Sequence, residues 1–130
     1  VMAINTTANW RLIRSFDPLL RTSDAGRVVM VTSTVGHEPR AYWSAYAVSK
    51  AALEMATRIY AEETVTTNVK VNILNPGATR TNMRARAFPG EDPETVKAPA
   101  AITEDFVRLC EPACTLHGET VTAKESPAES

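Results

Sequence analysis

The spacing of apolar residues changes along the first third of the chain, and each spacing predicts a different element. In residues 1–20, apolar side chains recur every three or four positions, which is the period of a helix with one apolar face. Pro18 has no N–H group and should kink or end the last turn of this helix. Residues 27–32 contain an unbroken apolar run instead, which favours a strand covered on both faces of a parallel sheet.

A second helix and a second strand follow. Residues 42–63 combine strong helix formers with a broad apolar arc and predict a helix, and residues 69–74 predict a strand. A strand, a helix and a strand of these lengths make a crossover unit. We therefore expect the two strands to be parallel and their connection to be right-handed.

The pattern beyond the second strand is less regular. Residues 78–99 predict a long loop at the carboxyl edge of the sheet, with one short helix inside it. Thr103 is expected to cap a helix that runs to about residue 110. Residues 119–123 predict a third strand, and the polar residues 124–130 predict a disordered tail. The order of elements predicts an α/β fold with a parallel sheet.

Composition and charge restrict the class of protein. The 130 residues fit one domain, and a formal net charge of -1 does not suggest a nucleic-acid or anionic-membrane partner. No apolar run reaches the roughly 18 residues of a membrane span, and no secretory signal is visible at the start. Cys110, Cys114 and His117 are too few for a metal site, so we expect no metal and interpret the cysteines as packing residues in a reducing cytoplasm.

The glycines are too widely spaced to bind a nucleotide phosphate. The chain has five glycines, and the closest two, Gly26 and Gly36, are ten positions apart. A dinucleotide-binding turn needs glycines two and three apart, and a phosphate loop needs them five apart. Whatever holds a cofactor phosphate is therefore outside these residues. Because the first helix also begins at position 1 with no N-cap and no initiator methionine, we expect a truncated product.

Three polar residues are candidates for chemistry. Tyr46 and Lys50 lie four apart and so share one face of a helix. A nearby ammonium favours the phenolate, and a tyrosine in that setting can exchange a proton with a carbonyl or alcohol oxygen. Ser33 follows the first predicted strand, at the edge where α/β sheets place ligand chemistry. The alternatives are two solvated helix residues and an ordinary turn serine.

The order and spacing of these residues resemble the short-chain dehydrogenase/reductase family. Asn5 lies in the helix before the first strand, and Ser33 ends that strand. Tyr46 and Lys50 lie thirteen and seventeen residues beyond Ser33, and the segment Pro76-Gly77-Ala78-Thr79-Arg80-Thr81 follows the second strand. The resemblance covers only the second half of the family's domain. It implies a partial Rossmann-like doubly wound parallel sheet in residues 1–123, reduced to its last three strands and lacking the Gly-rich half.

The resemblance assigns four catalytic roles. Tyr46 would be the general acid/base, and Lys50 would favour its phenolate form and bind the nicotinamide ribose. Ser33 would bind and orient the substrate oxygen, although Thr32 and Thr34 also carry hydroxyl groups.

Asn5 would hold a water that connects Lys50 to solvent, and the family's spacing favours it over Asn9. For the cofactor, the resemblance implies contacts from Tyr46, Lys50 and Thr81, and from the backbone of Pro76, Gly77 and Ala78.

The implied function is that of an NAD(P)-dependent oxidoreductase. Tyr46 would act on a small carbonyl or alcohol substrate, with NAD or NADP as cofactor, in the cytoplasm. The helices at 2–20 and 43–63 would permit a homo-oligomer. The alternative is a truncated, catalytically inactive fragment with a structural or interaction role, whose strand at 27–32 would expose a free edge. In either case we expect the 130-residue chain alone to be inactive and to bind no nicotinamide cofactor with useful affinity.

Overall fold

The computed structural model describes residues 1–79 and 81–123. Arg80 of the predicted cofactor segment and the predicted tail at 124–130 lie outside the described residues. Three strands, β1 (Arg27–Val31), β2 (Lys70–Asn75) and β3 (Thr120–Thr122), form one sheet in the order β1-β2-β3. Both strand pairings are parallel. The predicted α/β fold and the parallel direction of the strands are confirmed.

Four α-helices accompany the sheet in the described ranges. They are α1 (Ala8–Thr22), α2 (Ser44–Glu63), α3 (Asn82–Ala87) and α4 (Thr103–Cys110). A π-helical turn, Ala3–Thr7, runs directly into α1. Short 3-10 turns lie at Thr34–Gly36, Pro93–Thr95 and Pro99–Ile102. None of the helices in 1–79 and 81–123 is long and apolar enough to cross a membrane.

β2 is the central strand, and the core forms around it. Tyr60 and Ala61 of α2 are buried against Val69 and Val71, with α1 and β1 adding partly buried apolar side chains. A fully buried side chain of this kind contributes about 1.5–3 kcal/mol. Within the described residues β1 pairs only with β2.

The first helix does not end at Pro18, which was one of the two effects that the sequence predicted for this residue. α1 continues to Thr22 with Pro18 inside it. The later N–H groups still find acceptors: the Ser23 amide donates to the carbonyls of Leu19 and Leu20. Asp17 also binds the side chains of Arg21 and Tyr60, which fixes the last turn. The proline therefore removes one hydrogen bond from a turn that is held by others.

Two predictions for α4 are wrong. Thr103 is the first helical residue rather than the cap, and no side-chain cap bond is formed. The preceding 3-10 turn delivers Thr103 already in helical geometry, with φ -60 and ψ -42. Cys110 is exposed rather than packed, because Leu109 occupies the buried face of this helix. Cys114 is partly buried.

Candidate active site

The carboxyl ends of β1 and β2 are tied together by side chains that follow them. The Thr32 amide donates to the Leu74 carbonyl at 2.9 Å. Asn75 Nδ2 donates to Thr34 Oγ1 at 3.2 Å, and Asn75 Oδ1 accepts from the Gly77 amide at 3.0 Å. The segments that carry Ser33 and Gly77 therefore lie side by side, at the edge where a parallel sheet binds its ligands.

The structure brings Tyr46 and Lys50 together on α2. Both are half-buried, and Lys50 Nζ lies 5.8 Å from the centre of the Tyr46 ring, within the range of a cation–π interaction. The same Nζ donates to the carbonyl of Val31 at 3.0 Å. Burial lowers the pKa of Lys50, because desolvation disfavours its charged form. Lys50 thus joins α2 to the last residue of β1.

Ser33 differs from its two hydroxyl neighbours. Thr32 is buried, and its hydroxyl donates to Glu54. The hydroxyl of Thr34 accepts from Asn75. Ser33 is half-buried in extended geometry, and in the described part of the chain its hydroxyl makes no hydrogen bond, to Tyr46 or to any other residue. Of the three hydroxyls, that of Ser33 has no hydrogen-bond partner within residues 1–79 and 81–123, while the Thr34 hydroxyl accepts from Asn75 and can still donate.

Asn5 is held against α2 beside Lys50. Its Nδ2 donates to Ser49 Oγ at 3.0 Å, and the Thr6 hydroxyl donates to the Ser49 carbonyl at 2.9 Å. Both residues sit in the π-helical turn, a local widening that is frequent at functional sites. Asn9 instead donates its amide to two backbone carbonyls at the start of its own helix. Asn5 is therefore the one of these two asparagines whose side chain contacts α2, at the residue before Lys50.

The segment after β2 offers polar groups to a ligand. Gly77 has a left-handed φ of +70, which a side chain would strain. Pro76 is half-buried, while Ala78 and Thr81 are exposed. Thr81 accepts from the Arg84 amide at the start of α3, which leaves its O–H free to donate.

Lys97 supplies a cation beside this segment. Its Nζ is shielded from solvent and has no hydrogen-bond partner among residues 1–79 and 81–123. A Cβ on Gly77 would come within 3.2 Å of that nitrogen. Buried charges are normally paired. The position therefore suits an anionic or carbonyl group of a ligand, which is what a nicotinamide dinucleotide carries.

An aromatic contact links the loop after β2 to Tyr46. The Trp43 ring meets Tyr46 edge-on at 6.0 Å and Phe88 at 5.9 Å. Arg84 lies over Phe88 at 3.8 Å and makes a two-point ion pair with Glu91, at 2.9 and 2.7 Å. α3 and the residues after it are thus connected to Tyr46 through the Trp43 ring.

Sequence reasoning missed several residues of this site. Ser49 stands inside the Tyr46–Lys50 motif, so its position was a usable signal. Glu54 lies four residues after Lys50 on the same helix face, but its contacts depend on the loop after β1. Nothing in the sequence pairs Lys97 with Gly77. Among the described residues no group of three or more His, Cys, Asp or Glu side chains could hold a metal ion.

Comparison with known proteins assigns this arrangement to one group. Residues 1–92 match the family model described as short chain dehydrogenase. The chain is 48% identical over 109 residues to the uncharacterized oxidoreductase YciK of Escherichia coli K12, covering 84% of this chain and 43% of YciK. It is 42% identical over 82 residues to mouse estradiol 17-beta-dehydrogenase 2, covering 63% of this chain and 21% of that protein.

Solved structures agree with this assignment. A short chain dehydrogenase from Salmonella enterica serovar Typhi CT18 superimposes with a TM-score of 0.91 at 42% identity, over 96% of this chain and 52% of its own. A structure from Escherichia coli CFT073 complexed with NADPH gives a TM-score of 0.90 at 42% identity, with the same coverage of 96% and 52%. The chain thus spans about half the length of these relatives.

Proposed function

The chain belongs to the short chain dehydrogenase family, and from that premise we propose that it carries the acid/base half of an NAD(P)-dependent oxidoreductase. The reaction is hydride transfer between a nicotinamide cofactor and a small carbonyl or alcohol substrate. The observation that carries the proposal is the Tyr46–Lys50 pair on one face of α2, with Lys50 bound to the carbonyl of Val31, two residues before Ser33. The relatives are oxidoreductases, which favours this function over the non-enzymatic fragment.

Tyr46 exchanges the proton. A bound nicotinamide supplies or accepts the hydride, and the phenol of Tyr46 donates a proton to the carbonyl oxygen or takes one from the alcohol. Lys50 places a positive charge 5.8 Å from the centre of the Tyr46 ring, on the same face of α2. Ser33 orients the substrate oxygen by donating a hydrogen bond to it, a role supported by its uncommitted hydroxyl.

Asn5 serves the proton supply of Lys50. We assign it a water that connects Lys50 to solvent, because Ser49 holds its amide one residue away from Lys50 along α2. On the cofactor side, Tyr46, Lys50 and Thr81, with the backbone of Pro76, Gly77 and Ala78, would contact the nicotinamide end of NAD or NADP. The relatives complexed with NADPH and with NADP support a nicotinamide cofactor for this chain.

Residues 1–123 correspond, in this proposal, to the C-terminal half of the family's domain. The glycine spacing leaves the phosphate-binding turn outside the chain. The 130-residue chain alone should therefore show no turnover and bind neither NADH nor NADPH with useful affinity. Titration of both cofactors into the purified chain, followed by fluorescence, tests this; saturable binding in the micromolar range would contradict it.

We propose that the protein is cytoplasmic and that the chain self-associates. Both cysteines are free, as expected in a reducing compartment. Large apolar side chains of the first helix and of α2 are exposed, among them Ile4, Leu12, Phe16, Val48 and Ile59. We propose that a second copy of this chain covers these side chains, because exposed apolar patches mark interaction surfaces.

A chimera tests the proposed activity. Residues 1–123 would replace the matching part of the NADPH-bound Escherichia coli CFT073 relative, which shares 42% identity and would supply the missing phosphate-binding half. A panel of small aldehydes and ketones is then offered with NADPH. We expect substrate-dependent loss of NADPH absorbance. A chimera that folds and binds NADPH but reduces none of the compounds that the parent relative reduces would contradict the proposal.

A further inference from the structure

The carboxylate of Glu54 is buried at the site and belongs to none of the roles above. Glu54 lies on α2, one turn after Lys50, and is 3% exposed. Its Oε1 accepts the Thr32 hydroxyl and lies 3.3 Å from His37 Nδ1. Its Oε2 is 3.7 Å from Arg58. A buried carboxylate is costly unless it is paired in this way, so these contacts explain how it is accommodated.

Two of these partners belong to the loop that carries Ser33. Thr32 precedes Ser33, and His37 follows the 3-10 turn Thr34–Gly36. Gly36 lies against the same carboxylate: a Cβ there would come within 2.5 Å of Glu54 Oε1 and 3.0 Å of Thr32 Oγ1. Three residues of the loop, Thr32, Gly36 and His37, therefore lie against the Glu54 carboxylate.

Successive turns of α2 hold successive residues at the end of β1. Lys50 donates to the carbonyl of Val31, and one turn later Glu54 accepts the hydroxyl of Thr32. Ser33 is the next residue. Its carbonyl accepts the Gly36 amide at 2.9 Å, which closes the turn. The backbone of Ser33 is thus fixed on its N-terminal side by α2 and on its C-terminal side by a turn that packs on Glu54.

We propose that Glu54 is a positioning residue for Ser33: through Thr32 and the turn Thr34–Gly36 it holds the Ser33 hydroxyl toward the substrate oxygen. The inference rests on the proposed function for the role of Ser33, but the anchoring of the loop does not depend on turnover. The titratable and charged groups that face the carboxylate are His37 from the loop and Arg58 from α2. The Arg58 guanidinium offsets the charge of the carboxylate, while the Thr32 hydroxyl gives it a directed hydrogen bond.

Amide hydrogen exchange of the 130-residue chain, measured by NMR, tests the anchoring. The variants are Glu54→Gln and Thr32→Val, with Thr32→Ser as the conservative rescue and Glu62→Gln, exposed on the same helix, as the control. We expect exchange at Gly36 and His37 to rise about tenfold in Glu54→Gln and Thr32→Val, because a hydrogen bond to a charged acceptor is weakened or lost. Exchange at Ile73 and Leu74 of β2 should change less than about twofold. Thr32→Ser and Glu62→Gln should match the wild type.

The contrary result is equally defined. Unchanged exchange in the loop, or the same increase in the loop and in β2, would mean that Glu54 has only a general structural role and would overturn the proposal. If Glu54→Gln fails to fold, Thr32→Val decides the question. Gly36→Ala is a further check, since its added Cβ displaces the carboxylate, with Gly90→Ala as control because nothing lies within 4 Å of that position.

A double-mutant cycle in the chimera connects the anchoring to catalysis. Glu54→Gln should lower kcat about tenfold with an unchanged KM for NADPH, and should cost nothing further when Ser33→Ala is present. Additive losses would overturn the link between Glu54 and Ser33. An inactive wild-type chimera would instead count against the proposed function, and the exchange measurement would still decide the positioning of the loop.

Discussion

Lys50 is a half-buried ammonium whose partners are a backbone carbonyl and an aromatic ring. Its pairing with Tyr46 was predictable, because residues four apart on a helix share a face. Its hydrogen bond to Val31 was not, since that contact depends on which strand end lies under the helix. The same holds for Glu54 and Thr32, which are adjacent only because α2 crosses β1. Spacing predicts neighbours within an element, and tertiary contacts need the fold.

Because the pKa of Lys50 is lowered, the free energy of unfolding should change with pH in the alkaline range. Burial favours the neutral amine in the folded chain, so between the folded pKa and the unfolded value of about 10.4 the unfolded chain binds more protons. Stability therefore rises with pH through that window. We expect the unfolding free energy of the wild type, minus that of Lys50→Met, to increase from neutral pH to about pH 10.4. Urea unfolding measures it, and a flat difference would argue against burial of the charge.

At the scale of elements, α1 and α2 are joined by a small polar cluster. The Tyr60 hydroxyl donates to Asp17 at 2.7 Å, and Arg21 donates to the same carboxylate at 2.8 Å. The boundaries of both helices were nearly predictable from apolar spacing. The π-helical turn was not, because it depends on contacts with α2. The propensity rule for proline describes the residue in isolation. The last turn of α1 is also held by the hydrogen bond from Tyr60 of α2 to Asp17.

Tyr60→Phe should weaken the join between these helices. The hydrogen bond from Tyr60 lowers the pKa of Asp17, so its stabilisation is present above the unfolded pKa of about 3.9 and is lost as pH falls toward the lowered value. We expect Tyr60→Phe to cost about 0.5–1.5 kcal/mol near neutral pH. The cost should shrink as Asp17 is protonated. Denaturant unfolding across acidic pH checks this, with Tyr42→Phe as the exposed control; a cost independent of pH would contradict the linkage.

In the part of the molecule that residues 1–79 and 81–123 describe, no strand pairs with the outer edge of β1, and the helices expose large apolar side chains. The parallel direction of β1 and β2 followed from a strand–helix–strand order, because parallel strands need a long crossover. The position of β3 beside β2 did not follow, since sequence order does not fix order in a sheet. The Asn75 side chain links the ends of β1 and β2, and this contact also depends on how the strands are arranged in the sheet.

Phe16→Glu should reduce self-association of the chain. Phe16 is 51% exposed on α1, and a carboxylate there would have to be desolvated when a second copy covers the face. Light scattering across a concentration series should give a lower mean mass than for the wild type. Met83→Glu is the matched control, because it also replaces an exposed apolar side chain, on α3, with a carboxylate. It should leave the mass unchanged. Equal masses for the wild type and Phe16→Glu would locate the interface elsewhere.

Tyr46 is the residue that we propose transfers the proton. The rate of carbonyl reduction by the NADPH-binding chimera with Tyr46→Phe tests this role. We expect kcat to fall about 10²- to 10⁴-fold, which is the contribution of a positioned general acid, with NADPH affinity nearly unchanged. Tyr42→Phe removes a fully exposed phenol four residues away and should retain the full rate. A Tyr46→Phe chimera that keeps a rate near that of the unsubstituted chimera would contradict the assignment.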